Sequence, residues 1–461
     1  MLNQLPISRL SGTMLPAITD PHAAMQLALQ YQFESLQWWP AETLQAYQLK
    51  QFQHLLIHAA STVPYYQKLL VTNGLNLPEN LTLEFLKTFP ISTRKIIQEA
   101  GSEIESNTLP SDHGTAEFSK TSGSTGRPVR FARTALTRTL WLAFALRDHL
   151  WHSRDFSGKL CAIRWFSRGT AEAPNGAHDP NWGNIVSPIF TSGPSAALNV
   201  VATLPEQIDW LHKENPDYLV SFPSNLIALV QYAQAHKLTL PALKEIRTIG
   251  ESLSDEARKI IAEAWQTKVV DIYTCEEAGY LALQCPETGD YHVQSENVIL
   301  EIIDEHGEAC PPGKIGQVLI TTLHNFATPL IRYEIGDMAE FGPPCKCGRG
   351  LPVIRKIHGR KRNRLILPSG ESIFPYLGEH GDITRLTGVK QFQFQCIQLS
   401  TDEIELKLVM ERPLTETEQS KVAELMQRQL GHPFKVRFSF PVDIPRGPTG
   451  KFEDFISLIA N

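Results

Sequence analysis

Residues 121–130 read TSGSTGRPVR: Gly123 and Gly126 stand among the hydroxyls of Thr121, Ser122, Ser124 and Thr125, and Pro128 closes the stretch. Glycine lets a backbone turn to positive φ and approach a ligand closely. Successive N–H groups in such a loop form a concavity for anions, and the hydroxyls add donors. The chemistry implied is phosphate binding. The spacing is neither GxxxxGK[ST] nor GxGxxG, and Ser/Gly/Thr loops are often plain turns, so the stretch needs support from elsewhere.

Four further clusters could supply that support. Residues 273–277, Tyr-Thr-Cys-Glu-Glu, follow an apolar run, and a loop at the carboxyl end of a strand is where open α/β sheets bind ligands. Tyr273 could stack on a base and a carboxylate of the cluster, Glu276 or Glu277, could hold Mg²⁺ on phosphates; a surface acidic turn is the plainer alternative. Gly336-Asp337 is a turn former whose carboxylate could accept from ribose hydroxyls. Residues 359–363, Gly-Arg-Lys-Arg-Asn, are a basic run suited to a linker. Residues 445–451, Pro-Arg-Gly-Pro-Thr-Gly-Lys, present Lys451 on a stiff loop, where a point charge could meet a phosphoryl group. Separately, Cys285, His292, Cys345 and Cys347 follow C-x6-H and C-x-C spacing, and thiolates with imidazole are the ligands of a closed tetrahedral Zn²⁺ site.

The elements that must hold these groups follow from periodicity. The chain has 461 residues, which implies two or three domains. With 43 Lys+Arg against 49 Asp+Glu the net charge is −6, so no general nucleic-acid face is expected. No apolar stretch is long enough to span a membrane, and MLNQLPISRL lacks a signal-peptide core. A cytoplasmic protein is expected, its seven cysteines being free thiols or metal ligands. Leu44, Phe52, Leu55, Leu56 and Ala59 mark a helix that Pro64 should end, and Ser92 or Thr93 should cap the next one. Residues 134–150 read as a helix. Residues 160–165, 218–221, 245–249 and 269–273 read as buried strands, and 204–212, 224–234 and 255–264 as helices, which implies a largely parallel, helix-covered sheet. Residues 298–303 and 317–322 should pair antiparallel. Beyond Gly359, alternation at Ile404, Leu406, Leu408 and Met410, a Thr415/Glu418 capping box and a helix through Val422, Leu425, Met426 and Leu430 mark a small α+β domain.

Taken in order, the five clusters resemble the adenylate-forming superfamily of acyl- and aryl-CoA ligases, peptide-synthetase adenylation domains and luciferases, over roughly residues 40–461. Within it, Val63-Pro64-Tyr65-Tyr66, Phe89-Pro90-Ile91-Ser92, Phe222-Pro223-Ser224 and Ile331-Arg332-Tyr333 resemble phenylacetate–CoA ligases and capsule-biosynthesis-like relatives. The resemblance implies an α/β fold: a large N-terminal domain, 1–358, of helix-covered β-sheets with a β-barrel-like part, and a mobile C-terminal α+β domain, 359–461. It implies that Thr121–Gly126 holds the outgoing phosphates of ATP, that Gly250, Glu251, Tyr273 and Thr274 meet adenine, and that Asp337 and Arg360 meet ribose or phosphate. It also implies that Glu277 holds Mg²⁺, that Arg362 is the hinge, and that Lys451 is the catalytic lysine. Departures from the family pattern are Thr274, Glu276, Asn363 and the pair Val129-Arg130.

The expected activity is formation of an acyl-adenylate from a carboxylic acid, then transfer to a thiol, most simply coenzyme A. A carrier protein, an amine or a coenzyme hydroxyl are alternative acceptors, and a non-catalytic nucleotide-binding relative is the alternative of another class. Trp165, Phe222, Gly250 and Tyr273 are the expected acid pocket, which suits an aryl or apolar acid. The closer relatives suggest a homodimer.

Overall fold

The computed structural model describes residues 5–120, 129–236, 239–373, 375, 377, 380–387, 392–410, 412–447 and 450–459. They form two compact units, one of Met1–Leu160, His178–Ser195 and Val270–Ile357, the other of Cys161–Ala177, Ala196–Val269 and His358–Asn461. Among the described residues, no helix is long and apolar enough to cross a membrane. Thr121, Ser122, Gly123, Ser124, Thr125 and Gly126 lie outside the described residues.

The first unit opens on the helix Pro21–Leu36, which periodicity did not reveal because Gln26 and Gln30 lie on its buried face. Asp20 caps it by accepting from the His22 and Ala23 amides, and Pro21 suits a position whose N–H would be unpaired anyway. The helix Ala41–Thr62 buries the five expected residues. Pro64 does not only end it; it starts the next helix, Pro64–Thr72, for the same N-terminal reason. Thr93, not Ser92, caps Arg94–Ala100, accepting from the Ile96 amide. Ser92 instead bridges to Tyr333.

Strands of this unit lie in the order Val298–Ile303, Ile315–Thr322, Tyr333–Phe341, Val353–Arg360, Tyr291–Val293, Gly279–Gln284 and Lys268–Cys275. The expected antiparallel pair is present, with Ile299 opposite Thr321. Gly336-Asp337 is not a turn: both residues lie inside the strand Tyr333–Phe341. The turn expectation failed because Gly336, at φ 84°, bends the strand locally while pairing continues on both sides. Phe52, Leu55, Tyr66, Phe89, Ile320 and Tyr333 share one core, and each such buried side chain stabilises the fold by roughly 1.5–3 kcal/mol.

In the second unit, strands run in the order Glu245–Thr248, Tyr218–Ser221, Leu160–Arg164 and Ser195–Asn199, and Tyr218–Ser221 pairs parallel with Glu245–Thr248. The helices Leu204–Glu214, Pro223–His236 and Asp255–Trp265 match the expected βα alternation. The C-terminal part has strands in the order Lys435–Ser439, Glu403–Met410, Phe392–Gln398 and Phe455–Ser457. The Thr415/Glu418 box caps Glu416–Leu430, and Ile404, Leu406 and Leu408 are fully buried against Val422, Met426 and Leu430.

Candidate active site and candidate metal centre

In the first unit, the candidate acids lie on or just beyond two strands that three others separate in the sheet order. Tyr273, near the end of Lys268–Cys275, donates its hydroxyl to Asp337 Oδ2 at 2.9 Å. Tyr333 donates to Glu277 Oε1 at 3.4 Å. Burial, then the Glu277 charge, raises the Tyr333 phenol well above its ordinary value, so it stays a neutral donor. The register slips between Tyr273 and Thr274, which places Thr274 at a bulge. Burial, then Glu277 and Asp337, also raises the Cys275 thiol, which keeps it protonated.

Glu276, a departure from the family pattern, has a local partner, and so has Arg332, which matches the pattern. Glu276 turns to Arg133: its carboxylate lies 3.0 Å from the guanidinium, which also donates to the Glu276 carbonyl. Arg332, at φ 47°, pairs with Glu301 at 3.1 Å and donates to the carbonyls of Lys87 and Phe89. It is a clamp between segments of the first unit.

In the second unit, Lys451 lies in a tight cradle. Gly250 has φ 76°, and a Cβ there would come within 3.1 Å of the Phe222 ring and 3.3 Å of Lys451 Cε. A Cβ at Gly450 would come 2.8 Å from Trp165 Cβ. The structure therefore gathers Trp165, Phe222, Gly250 and Lys451, three of the four expected pocket residues plus the candidate catalytic lysine. The fourth, Tyr273, belongs to the first unit and is only 6% exposed. Arg360 is exposed at the end of Val353–Arg360. Arg362 lends backbone to the turn Lys361–Asn363, and its side chain lies outside the described part.

Around Lys451 the structure adds contacts that spacing did not reveal. Glu251 accepts from the Ser224 amide at 3.0 Å, the Ser224 hydroxyl at 3.1 Å and the Phe452 amide at 2.6 Å. Arg446 donates to Ser224 Oγ at 2.9 Å and the Gly450 carbonyl at 3.1 Å. No sequence signal links Glu251 to these partners, because Ser224 is 27 positions away and Phe452 is 201.

The four expected metal ligands converge in the first unit, their ligand atoms all within 4.8 Å of one another. Cys285 Sγ lies 3.9 Å from Cys345 Sγ, and Cys347 Sγ lies 3.3 Å from His292 Nε2. Zinc–sulfur bonds of ~2.3 Å at a tetrahedral angle set two sulfurs about 3.8 Å apart, so the sulfur spacing fits. His292 is fully buried, and its Nδ1 has no hydrogen-bond partner among the described residues. Burial opposes ionisation of Cys285, but hydrogen bonds from His292, the Thr288 and Glu287 backbone and the Thr288 hydroxyl draw it down to about 5. Burial holds Cys345 up at about 11. The set thus provides one ready thiolate and sulfurs that a cation would ionise. Trp151 meets the His292 ring edge-on, with centroids 5.8 Å apart, and the guanidiniums of Arg147 and Arg349 lie 4.8 and 4.6 Å from its ring centre.

The CapK C-terminal domain family matches residues 383–457. Phenylacetate–coenzyme A ligase of Aromatoleum evansii is 26% identical over 346 residues, 72% of this chain and 74% of that protein. The Thermus thermophilus enzyme of the same name is 25% identical over 470 residues, 93% and 100% of the two chains. A crystal structure of 2-hydroxyisobutyryl-CoA ligase in the postadenylation state superposes with TM-score 0.69, at 19% identity and covering 91% of each chain. The fold is that of the adenylate-forming ligases. The chain is similar to phenylacetate–coenzyme A ligases over most of its length, and its residues 383–457 match the CapK C-terminal domain family.

Proposed function

We propose that this protein is an AMP-forming acid–thiol ligase: it activates a carboxylic acid with ATP and passes the acyl group to coenzyme A. The observation that carries this reading is the end-to-end match to the Thermus thermophilus phenylacetate–coenzyme A ligase, supported by the built cradle around Lys451. In the first step a carboxylate oxygen attacks the α-phosphorus of ATP, and the bond to pyrophosphate breaks. Catalysis here is positioning and charge stabilisation. Two anions about 4 Å apart repel by roughly 4 kcal/mol at an effective dielectric of 20, and the Lys451 ammonium offsets that repulsion. Glu277 offers its carboxylate to the Mg²⁺ carried by ATP, Asp337 accepts from the ribose, and Tyr273, Thr274 and the Gly250-Glu251 backbone receive adenine. Residues 121–126 take the outgoing phosphates, and Arg360 assists at ribose or phosphate. In the second step the thiol attacks the acyl carbon, its proton is lost, and AMP leaves. The domain 359–461 turns about Arg362 between the steps. Trp165 and Phe222 suit an aryl or apolar acid.

Purified enzyme with MgATP, coenzyme A and a panel of carboxylic acids should release pyrophosphate and form a thioester with an aryl or apolar acid. Absence of acid-dependent pyrophosphate release across the panel would sink the reading. Cys285, His292, Cys345 and Cys347 hold structural zinc in this proposal. Protein purified without added metal should carry one zinc per chain, and Cys345→Ser should lose it, with a drop in Tm of about 5 °C or more. Less than a tenth of an equivalent in the wild type, by elemental analysis, would end that part of the proposal.

A further inference from the structure

Glu251 is a buried carboxylate with a divided task. Its side chain is 8% exposed and that of Arg446 is 17% exposed. A charge held this far from water needs hydrogen-bond partners. Oε2 accepts from the Ser224 amide in the first turn of the helix Pro223–His236, where exposed N–H groups favour an anion. Oε1 accepts from the Ser224 hydroxyl and, at 2.6 Å, from the amide of Phe452. One oxygen is tied to Ser224 alone, the other both to Ser224 and to the residue after Lys451.

Arg446 completes the arrangement from the other side of the lysine. It donates to the Gly450 carbonyl and to Ser224 Oγ, and it lies 3.8 Å from Glu251 Oε1. Inside the loop, Gly450 donates to the Gly447 carbonyl and Gly447 to the Lys451 carbonyl, both at 2.9 Å. The peptide on each side of Lys451 therefore has a side-chain partner: Arg446 before it and Glu251 after it. Burial, set against the donated hydrogen bonds and Arg446, raises the Glu251 pKa. This is the behaviour of a carboxylate that depends on these partners.

We infer that Glu251 and Arg446 are positioning residues that latch the Lys451 loop for the adenylation step and must release it for thiol transfer. The inference rests on the ligase reading above. Glutamine cannot replace Glu251, because it offers one acceptor oxygen where three donors converge and turns its own N–H₂ toward a donor.

The test is to measure both half-reactions in Glu251→Gln and Arg446→Gln, with Tm alongside. Acid-dependent ATP–pyrophosphate exchange should fall by about 10–100-fold, the scale of a lost hydrogen bond to a charged group. In Arg446→Gln, thioester formation from supplied acyl-adenylate should stay within about twofold of wild type, since that bond plays no part in the thiol step. Arg446→Gln leaves the Glu251–Ser224 amide bond in place and serves if Glu251→Gln folds poorly. Arg446→Lys, which keeps the charge, should recover part of the exchange activity. Exchange within twofold of wild type in both variants, or equal loss of both half-reactions in Arg446→Gln, would overturn the latch. Wild-type protein lacking both half-reactions would refute the ligase reading instead.

Discussion

The candidate carboxylates and the candidate lysine are held by different physics. Asp337 sits within the strand Tyr333–Phe341, and Glu277 just beyond the end of Lys268–Cys275. Each receives a phenol from a residue of the sheet, Tyr273 for Asp337 and Tyr333 for Glu277. Moving Asp337 would disturb its strand and the core beneath it, where Tyr273 and Tyr333 are both buried. Lys451 lies outside any strand: it follows a turn, and the bonds around it include two within the loop and those from Glu251 and Arg446 to the adjoining peptides. A hydrogen bond to a charged group contributes about 1.5–3 kcal/mol net, so a few such bonds can be exchanged in a catalytic cycle. A sheet core cannot. The difference suits a nucleotide site that stays assembled and a lysine that serves one of two steps.

The sharpest way to break this comparison is to remove the lysine. Lys451→Ala should lower acid-dependent pyrophosphate exchange by about 10³-fold, the scale seen when a preorganised charge is taken from a developing anion. Thioester formation from supplied acyl-adenylate should survive within a few-fold. Loss of both steps together would place Lys451 in the permanent site with Asp337 and erase the contrast.

What could be read from sequence and what could not divides along the same line. The Thr415/Glu418 box and the apolar stripe from Leu44 to Ala59 were legible because their partners lie within a few positions. The Cys/His cluster was legible because zinc chemistry admits few residue types, although its convergence joins segments about 60 positions apart. Pro64 was read as a stop because its missing N–H is a defect inside a helix; at a first position it costs nothing, and a helix begins there. The helix Pro21–Leu36 escaped because its buried glutamines bond to carbonyls of Ala135–Trp151, which no local pattern encodes. Glu251 was legible as a neighbour of Gly250, but its side-chain role depends on Phe452, brought near only by folding. Local chemistry was legible; the latch is long-range.

The smaller test falls on the rigid side. Tyr273→Phe removes one hydroxyl donor from Asp337 and leaves the ring and the strand in place. If Asp337 accepts from ribose, losing a donor that orients it should weaken ATP binding by about tenfold, because a hydrogen bond to a charged group contributes about 1.5–3 kcal/mol. The change should appear as a raised KM for ATP with kcat held within about threefold, the pattern of lost uniform binding. Thiol transfer from supplied acyl-adenylate should weaken as well, since the adenylate carries the same ribose. That shared loss contrasts with the one-sided loss expected of Lys451→Ala. A Tyr273→Phe variant impaired only in exchange would show that Asp337 is tuned for one step after all, and the division between a fixed nucleotide site and a releasable lysine would fail.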